Sequence, residues 1–357
     1  MALSFILHLG HPFLPGFEVG KRVVEIFLIG ETDTGLSPFL ATMFLKCSLT
    51  NHHARSMAAV TVVSGSIFER HDCRGHPESQ DRLVQALSGI PEGIPVVEPI
   101  MADTSDLLRV HSPLYIDMIR DSSASLPEHQ CRYLDPDTYI TRHTYDVARY
   151  SAGAAVQSIR SVQVGSSWFA LVRPPGHHAG SNYHLGFCIF NNAAIAAVCA
   201  LDRFDRVAIV DWDIHHGNGT QDIFYHSDRI LYCSVHQAFL FPGTGLREER
   251  GIGPGKGFTI NAPLPAGSSY GHYRQVFIDD FLPAIRNFEP GLIIVSAGQD
   301  CLCDDPLGNM NLYPDDIGAM ASLLFQTGIP LVLVLEGGYG PSHPAAIASI
   351  IRNLCGS

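Results

Sequence analysis

The chain has 357 residues, of which 46% are apolar, and a formal net charge of −12. This length supplies a large core for one α/β domain or two smaller ones, whereas the acidic balance argues against direct binding of nucleic acid through its phosphates. Nine cysteines without regular spacing favour a reducing compartment over a disulfide framework, and we expect a cytoplasmic protein. The sequence contains no run of 18 or more apolar residues, so it predicts no membrane-spanning helix.

Residues 1–56 differ from the rest of the chain. They mix short apolar pieces with Pro and Gly and show no sustained period. Their apolar start lacks a basic region and a clear cleavage site, so it does not indicate a signal peptide. Two interpretations stay open: an appendage or upstream misread start outside the fold, or an ordinary extension packed on it. The folded domain is predicted to span residues 57–357, with a first strand opening just after Met57.

From Met57 onward, helical and apolar segments alternate. Near-continuous apolar strands between helices predict a mostly parallel sheet with helices on both faces. The spacing of apolar residues predicts helices over Pro77–Leu87, Ser105–Ile119, Thr144–Val162, Asn191–Leu201 and Tyr270–Phe288. Besides the first strand, the apolar runs predict buried strands at Ser167–Val172, Arg206–Val210, Leu292–Val295 and Leu331–Leu335.

Each of these four strands is followed by polar and titratable residues. The segments are RPPGHH (173–178), DWDIHH (211–216), SAGQD (296–300) and EGGY (336–339). In open α/β sheets, ligands bind outside the carboxyl ends of the strands. The four segments are therefore expected to converge on a single site.

Two acids and a histidine have the pattern of a metal site. If the second strand continues through its segment, Asp211, Asp213 and His215 point to one face. Asp300 adds a carboxylate from the next segment. Asp213, His215 and Asp300 with an open position match catalytic Zn²⁺, and the oxygen-rich set also suits Fe²⁺ or Mn²⁺. A structural hydrogen-bonded pair of Asp213 and His215 is the alternative.

The remaining polar residues fit acid–base chemistry beside that metal. His177 and His178 are adjacent, and such a pair suits a general base and a general acid acting on water and a leaving group. Asp211 is placed to accept a hydrogen bond from one imidazole and hold its tautomer. Tyr339 follows two glycines, and its hydroxyl is predicted to donate to a developing oxyanion.

Taken together, the motifs resemble the zinc-dependent histone deacetylase family. The resemblance covers roughly residues 59–350, and GHPESQDRL (75–83) and RVHSPLYI (109–116) also resemble family segments. It rests on RPPGHHA (173–179), GFCIFNNAA (186–194), DWDIHHGNGTQ (211–221), FPGTG (241–245), SAGQD (296–300) and LEGGY (335–339).

The resemblance implies a single-domain arginase/deacetylase-like fold around a mostly parallel eight-stranded sheet, and hydrolysis of an N-acetyl amide. Asp213, His215 and Asp300 fall on the zinc-ligand positions, His177 and His178 on the tandem histidines, and Tyr339 on the oxyanion tyrosine. The family's acyl-lysine tunnel corresponds to Gly186, Phe187, Phe241 and Leu307, and its K⁺ site to Asp211, Asp213, His215 and Ser234.

Details of the motifs point to a subclass. Asn218 and Glu336 resemble class II members, so His178 is expected to meet a neutral amide that leaves its pKa lower than a carboxylate would. Leu307 stands where polyamine-preferring members carry an acid, which favours an acetyl-lysine protein or peptide as substrate. Gln299 departs from the usual aromatic or small residue of the family.

Three other functions compete with this interpretation. An acetylpolyamine or other small-molecule deacetylase is the main alternative. An inactive reader of acylated partners is disfavoured because the predicted catalytic set is intact. An arginase-like enzyme with two metals would need more ligands than the second segment supplies. Homo-oligomerisation stays open.

Overall fold

The computed structural model describes residues 59–356, so the predicted extension over residues 1–56 and its boundary lie outside the described part. Its main element is an eight-stranded sheet in which every pairing is parallel. The strands are β1 (Ala59–Val63), β2 (Val96–Val97), β5 (Ser166–Ala170), β6 (Val207–Asp211), β7 (Ile230–Gln237), β8 (Thr259–Leu264), β9 (Leu292–Ala297) and β10 (Leu331–Leu335); β3 (Cys131–Tyr133) and β4 (Tyr139–Thr141) form a separate antiparallel pair.

The strand order explains why the predicted segments meet. The order across the sheet is β2-β1-β5-β10-β9-β6-β7-β8, so the four strands predicted from apolar runs are neighbours at its centre. The last strand in the chain, β10, lies between β5 and β9. Asp211 pairs with Ser296 and Leu335 pairs with Ala297, so the carboxyl ends are level. The predicted α/β fold is confirmed.

Helices cover both faces of the sheet. The long helix Thr144–Ser161 packs on Asn192–Ala200, and Pro314–Phe325 packs on His343–Cys355, as expected for a sheet buried on both sides. No helix within residues 59–356 is both long and apolar enough to cross a membrane. The helices are α1 (Gln80–Ser88), α2 (Thr104–Leu107), α3 (Pro113–Ala124), α4 (Thr144–Ser161), α5 (Asn192–Ala200), α6 (Asn218–Phe224), α7 (Tyr270–Val276), α8 (Leu282–Phe288), α9 (Pro314–Phe325) and α10 (His343–Cys355).

Two predicted helices are interrupted. The segment Ser105–Ile119 contains two helices, because Ser112 is extended before Pro113 and its hydroxyl caps Tyr115 N. Within Tyr270–Phe288, a π-helical turn at Phe277–Phe281 joins α7 to α8. Pro283, in the first turn of α8, has no N–H to continue a regular hydrogen-bond pattern.

One pair of cysteines is bonded, which the sequence did not predict. A disulfide joins Cys73 and Cys131, which are 58 residues apart in sequence. Such a separation leaves no local signal, because the pairing depends on how the loop before α1 meets β3. The other cysteines of the described residues are free thiols, including the Cys301 and Cys303 pair.

Candidate active site

A cavity of about 250 Å³ opens at the carboxyl ends of the central strands. Every predicted catalytic, metal and tunnel residue except Asp211 lines it. Its walls are Asp137, Pro175, His177, His178, Gly186, Phe187, Asp213, His215, Leu240, Phe241, Asp300, Leu307, Gly337 and Tyr339. The premise that β6 continues through residues 211–216 was wrong, because the strand ends at Asp211 and the following residues form bends.

Three potential metal ligands face one another in this cavity. His215 Nδ1 lies 3.1 Å from Asp213 Oδ1 and 3.1 Å from Asp300 Oδ2. Backbone amides hold the other carboxylate oxygens, since Gly337 N donates to Asp213 Oδ2 and Ile214 N to Asp300 Oδ1. One nitrogen and two oxygen donors, with their outer atoms already hydrogen-bonded, fit a small divalent cation.

Two glycines frame these carboxylates. A Cβ on Gly298 would lie 2.1 Å from Asp213 Oδ2, and one on Gly337 would lie 2.2 Å from Asp300 Oδ2. No side chain fits at either position. The backbone therefore closes around the two acids and leaves Asp213 Oδ1 and Asp300 Oδ2 directed at the His215 ring.

The electrostatics of this cluster also favour a cation. Burial and then the neighbouring Asp213 raise the pKa of Asp300 to about 7. Burial alone would lower the pKa of His215, but hydrogen bonds to the two aspartates raise it to about 10. Two fully buried carboxylates with one imidazole between them have an excess of negative charge that a divalent ion would offset.

His177 is held by carboxylates. Its Nδ1 lies 3.1 Å from Asp211 Oδ2, which also accepts from the Tyr232 hydroxyl. Burial alone would lower the pKa of His177, but Asp213 and then Asp211 raise it to about 10. The predicted contact of Asp211 with an imidazole is present, and Asp211 lies behind the cavity wall.

His178 has the opposite environment. Its Nδ1 lies 2.8 Å from the side-chain oxygen of Asn218, so the predicted neutral partner is present. Burial, and then repulsion from His177 and His215, hold the pKa of His178 well below its usual range. The pKa values of the two adjacent histidines therefore differ widely. This pattern leaves His178 neutral and able to accept a proton, and it keeps His177 positively charged.

Tyr339 is fixed through its backbone and its ring. Asp305 Oδ2 accepts from Tyr339 N at 2.6 Å and Gly340 N at 2.9 Å, while Asp305 Oδ1 accepts from Leu307 N at 2.9 Å. The buried Arg82 guanidinium lies 4.8 Å from the ring centroid. Burial raises the pKa of Tyr339 well above its ordinary value, which keeps the hydroxyl a donor.

Aromatic rings form different sides of the cavity. Phe241 contacts His178 and His215, whereas Phe187 contacts Tyr339. Gly186 has a φ of +53°, and a Cβ there would lie 2.4 Å from the His178 ring. Only glycine leaves this passage open to the histidine.

Other residues at the site have roles that the sequence predicted less well. Asp137, Pro175, Leu240 and Gly337 line the cavity and were not predicted. Asp137 lies in the DPD sequence before β4, where nothing local signals a distant cavity. Glu336 does not line it; its carboxylate accepts from Gly176 N and His177 N and so anchors the histidine segment.

Ser234 lies beside Asp211 in the register of β6 and β7 and is fully buried. Its hydroxyl contacts His236 Nδ1 at 2.9 Å. Gln299 is also buried: its amide nitrogen donates to Ala297 O, and its side-chain oxygen has no protein partner among the described residues. Gln299 therefore lies behind the cavity rather than in its wall.

The chain is similar to known proteins in sequence and in fold. The family model for the histone deacetylase domain matches residues 76–354. The histone deacetylase-like amidohydrolase of Pseudomonas aeruginosa is 36% identical over 88% of this chain and 86% of its own. A probable deacetylase of Archaeoglobus fulgidus is 38% identical over 74% and 76%. The crystal structure of the HDA15 HD domain superposes with a TM-score of 0.80 at 32% identity, covering 85% and 89%.

Proposed function

Because the chain belongs to the histone deacetylase family of deacetylases and amidohydrolases, we propose that it hydrolyses acetyl-lysine in proteins or peptides. The observation that carries this proposal is the convergence of Asp213, His215 and Asp300 with the histidine pair and Tyr339 at one cavity. The products are a lysine amine and acetate.

The resident cation of this proposal is Zn²⁺, with Fe²⁺ as the alternative for the same oxygen-rich ligands. Asp213 Oδ1, His215 Nδ1 and Asp300 Oδ2 would hold it. When bound, the ion supplies Lewis acidity for the amide carbonyl and for water. The proposed structural K⁺ would use Asp211, Asp213, His215 and Ser234, of which Asp211 and Ser234 are neighbours across β6 and β7.

His178 is the proposed general base. Its low pKa leaves Nε2 unprotonated and able to take a proton from the attacking water, while Asn218 holds the Nδ1 proton. His177, paired with Asp211, supplies positive charge close to the reacting carbonyl. The proton taken by His178 is then delivered to the leaving amine.

Tyr339 is the proposed oxyanion donor. Its hydroxyl stays protonated and lines the cavity on the side of Phe187. A donor fixed before the reaction begins stabilises the developing charge without reorganisation. Asp305 and Arg82 hold the tyrosine in place.

The cavity walls support a lysine side chain as the substrate stem. Phe187, Phe241 and Leu307 present apolar surface, and burying each CH₂ of the stem contributes about 0.8 kcal/mol. An acetylpolyamine is the second candidate, favoured by the carboxylate of Asp137 in the cavity wall, which would attract a cationic tail. Acetylated proteins are the proposed partners, without direct binding to nucleic acid.

The deciding experiment compares kcat/KM of the zinc-loaded enzyme on an acetyl-lysine peptide and on N-acetylputrescine. We expect the peptide to be preferred by about tenfold or more, equivalent to about 1.4 kcal/mol. Tyr339→Phe should lower kcat on either substrate by about a hundredfold. The reverse preference would assign polyamine chemistry. Turnover of neither substrate would contradict the proposed function.

A further inference from the structure

The hydrogen bonds behind His178 do not stop at Asn218. The Asn218 side-chain nitrogen donates to the Tyr183 hydroxyl oxygen at 3.2 Å. That hydroxyl in turn donates to Asp222 Oδ2. Asp222 is exposed on α6 and Tyr183 is half-buried, and neither residue lines the cavity. A chain of three groups thus leads from the proposed base to the surface.

The backbone is shaped to place Tyr183 in this chain. Gly180 and Tyr183 close a two-residue turn, with Gly180 N donating to Tyr183 O at 3.0 Å. A Cβ on Gly180 would lie 2.2 Å from the tyrosine ring, so the ring packs directly on the glycine backbone. A Cβ on Gly219 would lie 2.3 Å from Ala179 O, which shows how closely the start of α6 approaches the same segment.

The order of donors decides the orientation of the Asn218 amide. A carboxylate accepts a hydrogen bond through either oxygen, but an amide presents an acceptor on one side and a donor on the other. The single proton of the Tyr183 hydroxyl goes to Asp222, so its oxygen faces Asn218 as an acceptor. Burial, and then the bond to Asp222, raise the pKa of Tyr183 and keep that proton in place.

This orientation has a consequence for His178. With the amide nitrogen directed at Tyr183, the amide oxygen faces His178 and accepts from Nδ1–H. Nε2 is then the unprotonated nitrogen. A reversed amide would donate to Nδ1 and place the proton on Nε2, the wrong tautomer for a base.

We propose that Tyr183 and Asp222 are positioning residues that orient the Asn218 amide and thereby fix the reactive tautomer of His178. The inference rests on the proposed function, in which His178 is the base. It also explains how a neutral amide can replace a carboxylate as the acceptor for His178 Nδ1–H. A carboxylate would need no such orientation, because either of its oxygens accepts.

The test is a double-mutant cycle on the zinc-loaded enzyme. Tyr183→Phe and Asp222→Ala are each made in the parent and in an Asn218→Asp background, where either carboxylate oxygen accepts from His178. We expect kcat to fall about tenfold in the parent background with little change in KM, and to change less than about twofold in the Asn218→Asp background. Equal losses in both backgrounds would show a merely structural role and overturn the inference.

Controls and a second readout keep the outcomes distinct. Tyr225→Phe and Asp228→Ala, also near α6, should leave kcat unchanged. In ¹⁵N-histidine-labelled protein, the His178 signals, identified by their loss in His178→Gln, should show Nδ1–H in the parent and a shift toward Nε2–H in Tyr183→Phe. An unchanged tautomer would refute the inference. Lack of turnover by the parent would refute the proposed function while leaving this spectral test intact.

Discussion

The floor and the mouth of the cavity are built differently. At the floor, Asp213 and Asp300 are fully buried, and backbone amides or histidines hold their oxygens. At the mouth, Phe241 is 39% exposed, and the neighbouring Phe239 is fully exposed with a φ of +61°. Groups that react need fixed geometry, whereas groups that meet varied substrates need accessible surface. Floor substitutions are therefore expected to act on kcat and mouth substitutions on selectivity.

The largest effect is expected at the proposed metal ligands. Asp213→Asn removes a charged proposed ligand and should lower kcat/KM on the acetyl-lysine peptide about a thousandfold, since metal catalysis is worth several kcal/mol. Zinc content, measured by mass spectrometry of the purified protein, should fall in parallel. Asp228→Asn, an exposed acid, is the matched control. Full zinc occupancy with full activity in Asp213→Asn would contradict the proposed role of Asp213 as a ligand.

A smaller effect is expected where the floor meets the mouth. Asp305→Ala leaves three backbone amides, those of Leu307, Tyr339 and Gly340, without their acceptor. Each lost partner costs about 1–3 kcal/mol if no water replaces it. We expect kcat to fall by about ten- to a hundredfold with little change in KM.

The neighbouring Asp304, which is exposed, supplies the control for Asp305. Asp304→Ala should keep the parental kcat, and circular dichroism should show both variants folded. If Asp305→Ala raises KM while leaving kcat intact, Asp305 shapes the mouth and does not position Tyr339.

At the mouth, Leu307→Glu should change selectivity more than rate. A carboxylate at this wall attracts the free ammonium of N-acetylputrescine. The ratio of kcat/KM for the two substrates should shift toward the polyamine by about tenfold, or about 1.4 kcal/mol. Leu307→Gln, similar in size but neutral, separates charge from shape. Equal shifts in both variants would contradict the electrostatic explanation.

His71, which is buried and stacks on Tyr139, is expected to couple folding to pH. Burial and then Arg173 lower its pKa from 6.5 to about 3. Between these values the unfolded chain binds a proton that the folded protein does not, so the unfolding free energy falls as the pH drops through this window. His71→Gln should reduce that slope by up to about 1.4 kcal/mol per pH unit in urea titrations. A parental slope in His71→Gln would assign the acid sensitivity elsewhere.

The sequence predicted the floor better than the mouth for a physical reason. Asp213, His215 and Asp300 follow apolar strands directly, and parallel strands bring such segments to one edge whatever the loops do. Asp137 and Asp305 have no comparable local pattern, because their roles come from contacts with segments distant in the chain. The resemblance to a known family supplied Phe187, Phe241 and Leu307, which strand alternation alone does not indicate.

Secondary structure was likewise predicted better where the signal is local than where it depends on contacts between distant segments. The strand Leu331–Leu335 was predicted to the residue, since its apolar run ends at a charged residue and glycines. The break at Ser112 and Pro113 had a readable proline signal, but apolar spacing across it suggested one helix. The disulfide between Cys73 and Cys131 depends on tertiary proximity, and no local sequence pattern predicted it.

The central position of β10 has a consequence for synthesis of the protein. β5 leads to His177, and β9 and β6 lead to the proposed metal ligands. In the strand order, β10 is the strand that pairs with both β5 and β9. A ribosome must translate through Leu335 before the sheet can be hydrogen-bonded across this position. A premature stop codon upstream of Leu331 would therefore leave a gap in the sheet between the histidine segment and the proposed ligands. It would also remove Tyr339, so we expect the truncated chain to be inactive.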